Sequence, residues 1–387
     1  MKKNLFALAA LLVAASSCTE SMDSLTKRVL ATATSQVTLM DARLELGMSP
    51  RSINENGDPI DQNITWWCSG FFPGTCWYIY QMTGDEAVKS IAEKQTRILD
   101  SLIVLPTHHD IGFQINSSFG NAYRFTGDAS YLPTVEAAAA KLAKRFNPVT
   151  GVTMSWEPSA RWQYPVIIDN MMNLELLEYA SGLFHCDSLN QIALTHARTT
   201  MKNHFRPDFT TYHVVDYNPA DGSVNMRCTH QGYADESAWG RGQAWALYGY
   251  TMMASYTGEA DMLDQAENVA AMLLGRLPED GIPYWDFDAP DVPDALRDAS
   301  AGAVMASAFV TLSTLTGDVA KAKEYKAMAE RQIRTLASPE YMAAPGENGD
   351  FILKHSVGSL PANSEVDVPL TYADYYFIEA ICKYNQL

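Results

Sequence analysis

Apolar runs of helical period that stop at Thr-Gly and resume after an acidic residue punctuate this chain. The phrase stands at 80–85 (YQMTGD), 123–128 (YRFTGD), 256–259 (YTGE) and 315–318 (LTGD), with a degenerate copy at 179–182 (YASG). Glycine takes the left-handed backbone conformation that closes a helix, and an acid after it suits the start of the next. Helices are predicted beyond three of these turns, over 135–145, 263–274 and 320–336. The turns lie several tens of residues apart, enough for one helical hairpin and a loop each, and such a series closes into a toroid of paired helices.

Strand patterns are sparse. Residues 212–216 and 223–227 flank the turn sequence NPADG and predict one β-hairpin inserted over the toroid mouth, where long loops commonly carry function. No change in composition divides residues 37–387, so a single closed helical domain is expected there. Within it, PVIIDNMMNLELLEYA (165–180) sets an acid among residues suited to burial. At helical spacing Ile168, Met171, Met172, Glu175 and Tyr179 share one flank, and Asp169, Asn173 and Leu176 another. Pro165 suits the start of such a helix and would put Asp169 in its first turn. A helix-capping or solvated aspartate is the ordinary explanation. The apolar neighbours point to burial instead, and a buried carboxylate needs a partner or a task.

Composition narrows the setting. The chain has 387 residues, 47% of them hydrophobic, and a formal net charge of -17, which argues against broad binding of nucleic acid. It opens MKKNLFALAALLVAASSC: two lysines, an apolar run too short for a permanent membrane helix, then small residues before Cys18. This reads as a lipoprotein signal peptide over 1–17, a lipid-bearing Cys18 and a flexible tether over 18–36, with the domain over 37–387. The expected location is the periplasm or cell surface, with the membrane touched only through that anchor. Cys68, Cys76, Cys186, Cys228 and Cys382 match neither a zinc pattern nor a disulfide framework, although Cys68 and Cys76 leave room for one bridge.

Three further segments are more polar and aromatic than a core requires. In HHDIGF (108–113) the histidines lack a third metal ligand at helical spacing, and no metal or organic cofactor is expected. Asp110 is better placed as a second carboxylate facing Asp169, since like charges at short range raise the proton affinity of one partner. THQG (229–232) and SAWGRGQAW (237–245) bring His230, Gln231, Trp239, Arg241 and Trp245 together. Core-packed tryptophans on a glycine-loosened helix would explain the second string. So would an arginine for a carboxylate and indole faces for a sugar ring. His213, on the predicted hairpin, joins this set only in their company. The combination suits an enzyme acting on uronic acids without naming the reaction. A lipoprotein that merely binds glycans and a sugar epimerase stay open, although two buried acids are not needed by the first and fit the second poorly.

The strings HHDIGFQINSSFGNAYRFTGD, PVIIDNMMNLELL, CTHQGYADESAWGRGQAWALYGY, DGIPYWDFDAP and LTYADYYFIEAI together resemble the unsaturated glucuronyl hydrolases of glycoside hydrolase family 88, from about Trp66 to the C-terminus. The resemblance implies an all-α (α/α)6 barrel with a small β-hairpin insertion. It implies removal of the 4,5-unsaturated uronic acid that polysaccharide lyases leave at the non-reducing end of oligosaccharides, commonly glycosaminoglycan fragments. Asp169 then falls on the general acid and base and Asp110 on the second essential aspartate. His213, His230, Gln231, Trp239, Arg241 and Trp245 fall on substrate-contacting positions. A further tryptophan contact is Trp156 or Trp162, and another Trp66 or Trp67. The implied chemistry is protonation of C4 of the unsaturated ring and attack of water at C5. A related hydrolase of unsaturated rhamnogalacturonan fragments is the alternative within the same barrel. Residues 355–367 do not align in a single way, so sulfation preference stays open.

Overall fold

The computed structural model describes residues 20–106 and 108–387. Six helices line the barrel: α2 (Phe71–Thr83), α4 (Ile111–Ile115) continued through a π-type turn into α5 (Asn121–Thr126), α7 (Asn170–Phe184), α9 (Gly240–Thr257), α11 (Ala299–Leu315) and α13 (Thr371–Tyr384). Outside them lie α1 (Met22–Arg43), α3 (Glu86–Ile98), α6 (Leu132–Ala143), α8 (Asp187–His204), α10 (Ala260–Leu274) and α12 (Val319–Leu336). Neighbouring inner helices pack in sequence around the axis, and α13 returns to α2 to close the ring. This is the expected (α/α)6 barrel.

The two layers differ in how they are buried. Every residue of α9 from Gly240 to Ala254, of α11 from Ala299 to Val310 and of α13 from Thr371 to Cys382 is buried. A helix apolar all round belongs inside. On α12 only Tyr325, Met328, Ala329, Gln332, Ile333 and Leu336 are buried, the single stripe of a surface helix. Gly84, Gly127 and Gly258 close three inner helices in the left-handed conformation, as the Thr-Gly turns predict. The fourth turn is different: Thr316 caps α11 in extended conformation. The degenerate copy at 179–182 is no turn at all, because α7 runs on to Phe184 and His185 takes the left-handed position.

Two other expectations are corrected and one open pairing is answered. Residues 22–36 belong to α1, with Leu25, Val29, Ala33 and Val37 buried at four-residue spacing against the barrel, so the flexible tether does not extend to 36. The signal peptide and Cys18 fall outside the described residues. After two short strand pairs, β1 (Met48–Ile53) with β2 (Pro59–Asn63) and β3 (Phe146–Asn147) with β4 (Val152–Thr153), Pro165 is not helical: β5 (Pro165–Ile167) pairs with β6 (Val214–Tyr217), which pairs with β7 (Val224–Cys228), so the predicted hairpin gains a third strand. A proline suits this edge strand as well as it suits a first helical turn. Finally, Cys68 and Cys76 are separate free thiols. The Cys68 thiol faces Glu365, Arg51 and Asp110, whereas that of Cys76 faces Asp41 and Lys94 near the outer layer.

The inner helices all begin at one end of the barrel. Just below it a layer of rings spans the axis: Phe71 to Phe113 at 5.4 Å, Phe113 to Trp245 at 5.4 Å and Trp245 to Tyr376 at 5.6 Å. Beyond this layer, towards the opposite end, lies a separate cavity of about 260 Å³ lined by Tyr78, Arg124, Glu175, Tyr248 and Glu379 among others.

Candidate active site

The starts of the inner helices bring the selected residues together. Asp169 immediately precedes α7 but makes no side-chain capping bond, so its carboxyl is not spent on its own helix. The strand register Ile167↔Val214 sets His213 beside it, with His213 Nε2 3.7 Å from Asp169 Oδ2. His213 Nδ1 accepts the backbone N–H groups of His230 (3.1 Å) and Gln231 (3.2 Å). That leaves the single proton of a neutral ring on Nε2, facing Asp169. Burial, followed by His230 and Arg241, holds the His213 ring well below its ordinary proton affinity.

The carboxyl of Asp169 is pushed up to about 7. Burial is the main cause; Arg241 opposes it and Asp110 adds to it. Asp110 behaves oppositely. Burial favours its neutral form, but His109 and His108 outweigh that and hold it below the usual carboxylate range. His108 Nδ1 lies 2.9 Å from Asp110 Oδ2, and His109 Nε2 lies 3.4 Å from Oδ1. Two carboxyls at one barrel end are thus driven apart, one towards acid and one towards anion.

Aromatic rings flank this pair. Trp239 lies 4.6 Å from the His213 ring, and Trp156 lies 6.1 Å from His213 and 5.3 Å from His230. Trp162 packs behind Trp156 at 5.2 Å, beneath Arg161, so Trp156 is the nearer of the two to His213. Trp67 joins Phe71, Phe113 and Tyr372 in the barrel wall, while Trp66 lies under Arg51 at 4.6 Å. Gly242 admits Trp239 close to α9, since a Cβ there would meet the indole at 2.8 Å. Asp169 Oδ2, His213 Nε2 and Trp245 Nε1 are buried polar atoms with no hydrogen-bond partner among the described residues. Buried polar atoms are rarely left so, and a polar ligand would satisfy them.

Arg241, the expected anion clamp, is held by protein groups as well. It is buried; Nη1 sits 3.1 Å from Asp298 Oδ2 and also donates to Val357 O, and Nη2 donates to Gly358 O at 2.7 Å. Three of its five N–H groups are therefore given to the protein. They fasten β8 (Ser356–Ser359), paired with β9 (Ser364–Val368), to the barrel mouth, and Gln231 Nε2 reaches the same Gly358 carbonyl at 3.1 Å. Asp298 completes the clamp and escaped sequence reasoning, although its place before ASAG marks it as a helix cap; Oδ1 accepts Ser300 N at 3.0 Å. Asp286, in the DGIPYWDFDAP string, holds the 229–237 loop through Tyr233 N (2.8 Å) and Ser237 Oγ (2.7 Å). Among the described residues no group of three or more His, Cys, Asp or Glu side chains converges as a metal site.

No family model matches the chain. An unsaturated glucuronyl hydrolase of Formosa agariphila is 42% identical over 325 residues, covering 83% of this chain and 80% of that protein. One from a Bacillus species is 31% identical, covering 87% of this chain and 94% of its own. Among solved structures, that of an unsaturated glucuronyl hydrolase described as specific for heparin superposes with a TM-score of 0.91 at 47% identity, covering 94% of this chain and 98% of that one. With a buried acid, an ionised partner and flanking indoles at the mouth of an (α/α)6 barrel, the chain belongs to the unsaturated glucuronyl hydrolases, glycosidases of glycoside hydrolase family 88.

Proposed function

We propose that this enzyme removes the 4,5-unsaturated uronic acid from lyase-generated glycosaminoglycan disaccharides by hydration of the C4=C5 vinyl ether, with Asp169 as acid and base. What carries this reading is Asp169 itself: buried, uncapped, pushed up to about 7, with Oδ2 unpartnered among the described residues. The protonated carboxyl gives its proton to C4, and positive character develops at C5 of the ring. The resulting carboxylate takes a proton from the water that attacks C5. The hemiketal formed there opens, and the remaining saccharide leaves. Asp110, ionised beside its histidines, favours the cationic C5, and the neutral His213 offers its Nε2 proton to the substrate or to Asp169. Trp156, Trp239 and Trp245 supply ring faces, His230 and Gln231 line the same wall, and Arg241 acts by holding Gly358 in place.

Heparin-derived disaccharides are the first substrates to test, given the heparin-specific relative at 47% identity. The conjugated double bond of the unsaturated uronate absorbs in the ultraviolet. Its decay with wild-type enzyme and persistence with Asp169→Asn supports the assignment; equal decay with both defeats it. By its N-terminal sequence the enzyme is placed in the cell envelope, anchored by lipid at Cys18. Cys18→Ala is expected to move it from the membrane fraction to the soluble one, and unchanged sedimentation with membranes would remove the anchor from the proposal.

A further inference from the structure

Asn173 stands one turn below Asp169 on α7, wholly buried, and none of the chemistry above uses it. Its Oδ1 accepts the backbone N–H of Phe113 at 2.8 Å. That bond fixes which way the amide faces, because a backbone N–H can only donate. The Nδ2 group then points to His109 Nδ1 at 3.3 Å and to Asp110 Oδ1 at 3.5 Å, two acceptors for two protons. Gly112 makes room for this approach, since a Cβ there would lie 2.5 Å from Asn173 Oδ1.

The orientation of one amide therefore bears on the ionised aspartate directly and on the histidine beside it. His109 is buried and held neutral, pushed down to about 4 by burial, so it carries one proton. With Nδ1 engaged as an acceptor, the proton sits on Nε2, which lies 3.4 Å from Asp110 Oδ1 but makes no formed hydrogen bond among the described residues, and Asn170 is a second polar neighbour of the ring. The charged and titratable groups facing Asp110 are His108 and His109 on its own loop, Asp169 at the start of α7 and Cys68 before α2, with Arg145 acting on both histidines.

We infer that Asn173 is a positioning residue for turnover: anchored on the Phe113 amide, it donates to Asp110 and sets the tautomer of the neighbouring His109. The inference rests on Asp110 being required for the reaction. Asn173→Asp keeps the shape but replaces the amide donors with acceptors, so the His109 proton moves to Nδ1 or the ring gains a second one. Turnover per folded molecule should fall by about tenfold to a hundredfold, the range that outer partners of functional histidines command, with a smaller change in KM. The loss of donors around Asp110 also raises its proton affinity, and the acidic limb of kcat/KM moves to higher pH.

Nitrogen-15 spectra of histidine-labelled enzyme, with the His109 signals assigned by their absence in His109→Gln, read the tautomer without reference to activity. The expected wild-type spectrum has a proton-bearing Nε2 and a bare Nδ1, and this pattern is lost in Asn173→Asp. A proton on Nδ1 in wild type overturns the inference. So does a variant whose turnover and pH profile match wild type and which differs only in melting temperature. If Asn173→Asp does not fold, Asn173→Ser is measured in the same way. Wild-type turnover in Asp110→Asn would instead defeat the role given to Asp110, a failure that the tautomer measurement separates from this one.

Discussion

Both ends of this barrel bury a carboxylate on or beside an inner helix, and they treat it in opposite ways. At the far end Glu379 Oε1 accepts the hydroxyls of Tyr78 (2.9 Å) and Tyr248 (3.0 Å), and Oε2 accepts Ser307 (2.6 Å) with Lys383 Nζ at 3.4 Å. At the mouth end Asp169 Oδ2 has no hydrogen bond among the described residues, and His213 Nε2 beside it stands off at 3.7 Å. A saturated network fixes helices to one another. An unsaturated one stores an affinity for something absent. Burial of an acid is thus a poor sign of chemistry by itself; what separates the two ends is whether its hydrogen-bonding capacity is used.

The comparison breaks most sharply under exchange of each acid for its amide. Asp169→Asn should cut turnover by about a hundredfold to ten-thousandfold from loss of acid catalysis alone, followed by the ultraviolet assay, with no loss of stability. If Glu379→Gln cost as much activity per folded molecule, the division of labour would be wrong. That far-end variant should instead lose about 1–3 kcal/mol of stability, read by denaturant titration, because an amide cannot accept from every donor around it. The pH profile comes next in size. If Asp169 is the acid, as proposed, it is protonated when substrate arrives, so kcat/KM should fall about tenfold per pH unit above about 7. A profile flat to pH 9 would show that another group is the acid.

The smallest effect is on stability. Folded Asp169 keeps its proton up to about 7, whereas in the unfolded chain it loses it near 3.8. Between these values the native state binds more protons than the unfolded one, so this group's contribution to stability falls as pH rises. Asp169→Asn lacks that loss. Its melting temperature should pull ahead of wild type from pH 4 to pH 7, by several degrees, and the gap should then stay constant. A gap independent of pH would mean that the site does not favour the protonated form.

Much of this could be read from local sequence. Three inner helices announced themselves through Thr-Gly turns, because a left-handed glycine closes each of them, at Gly84, Gly127 and Gly258. The outer helix α1 did not, since its polar majority hid the stripe of Leu25, Val29, Ala33 and Val37. Asp169 stood out by contrast with its apolar neighbours. The orientation of Arg241 could not be foreseen, because Asp298 and Gly358, which claim it, are 57 and 117 residues away. The β8–β9 hairpin was illegible for a different reason: Asn363, Glu365 and Asp367 all take positive φ, a conformation that no glycine there advertises.

The layer of rings from Phe71 through Phe113 and Trp245 to Tyr376 has a consequence for traffic. It makes the bore a cul-de-sac. A sugar chain cannot be threaded through, so only its tip can be offered to Asp169, and whatever is cut must back out through the same doorway before the next chain end enters. Trimming one terminal unit per visit is built into a tube that is corked at its waist.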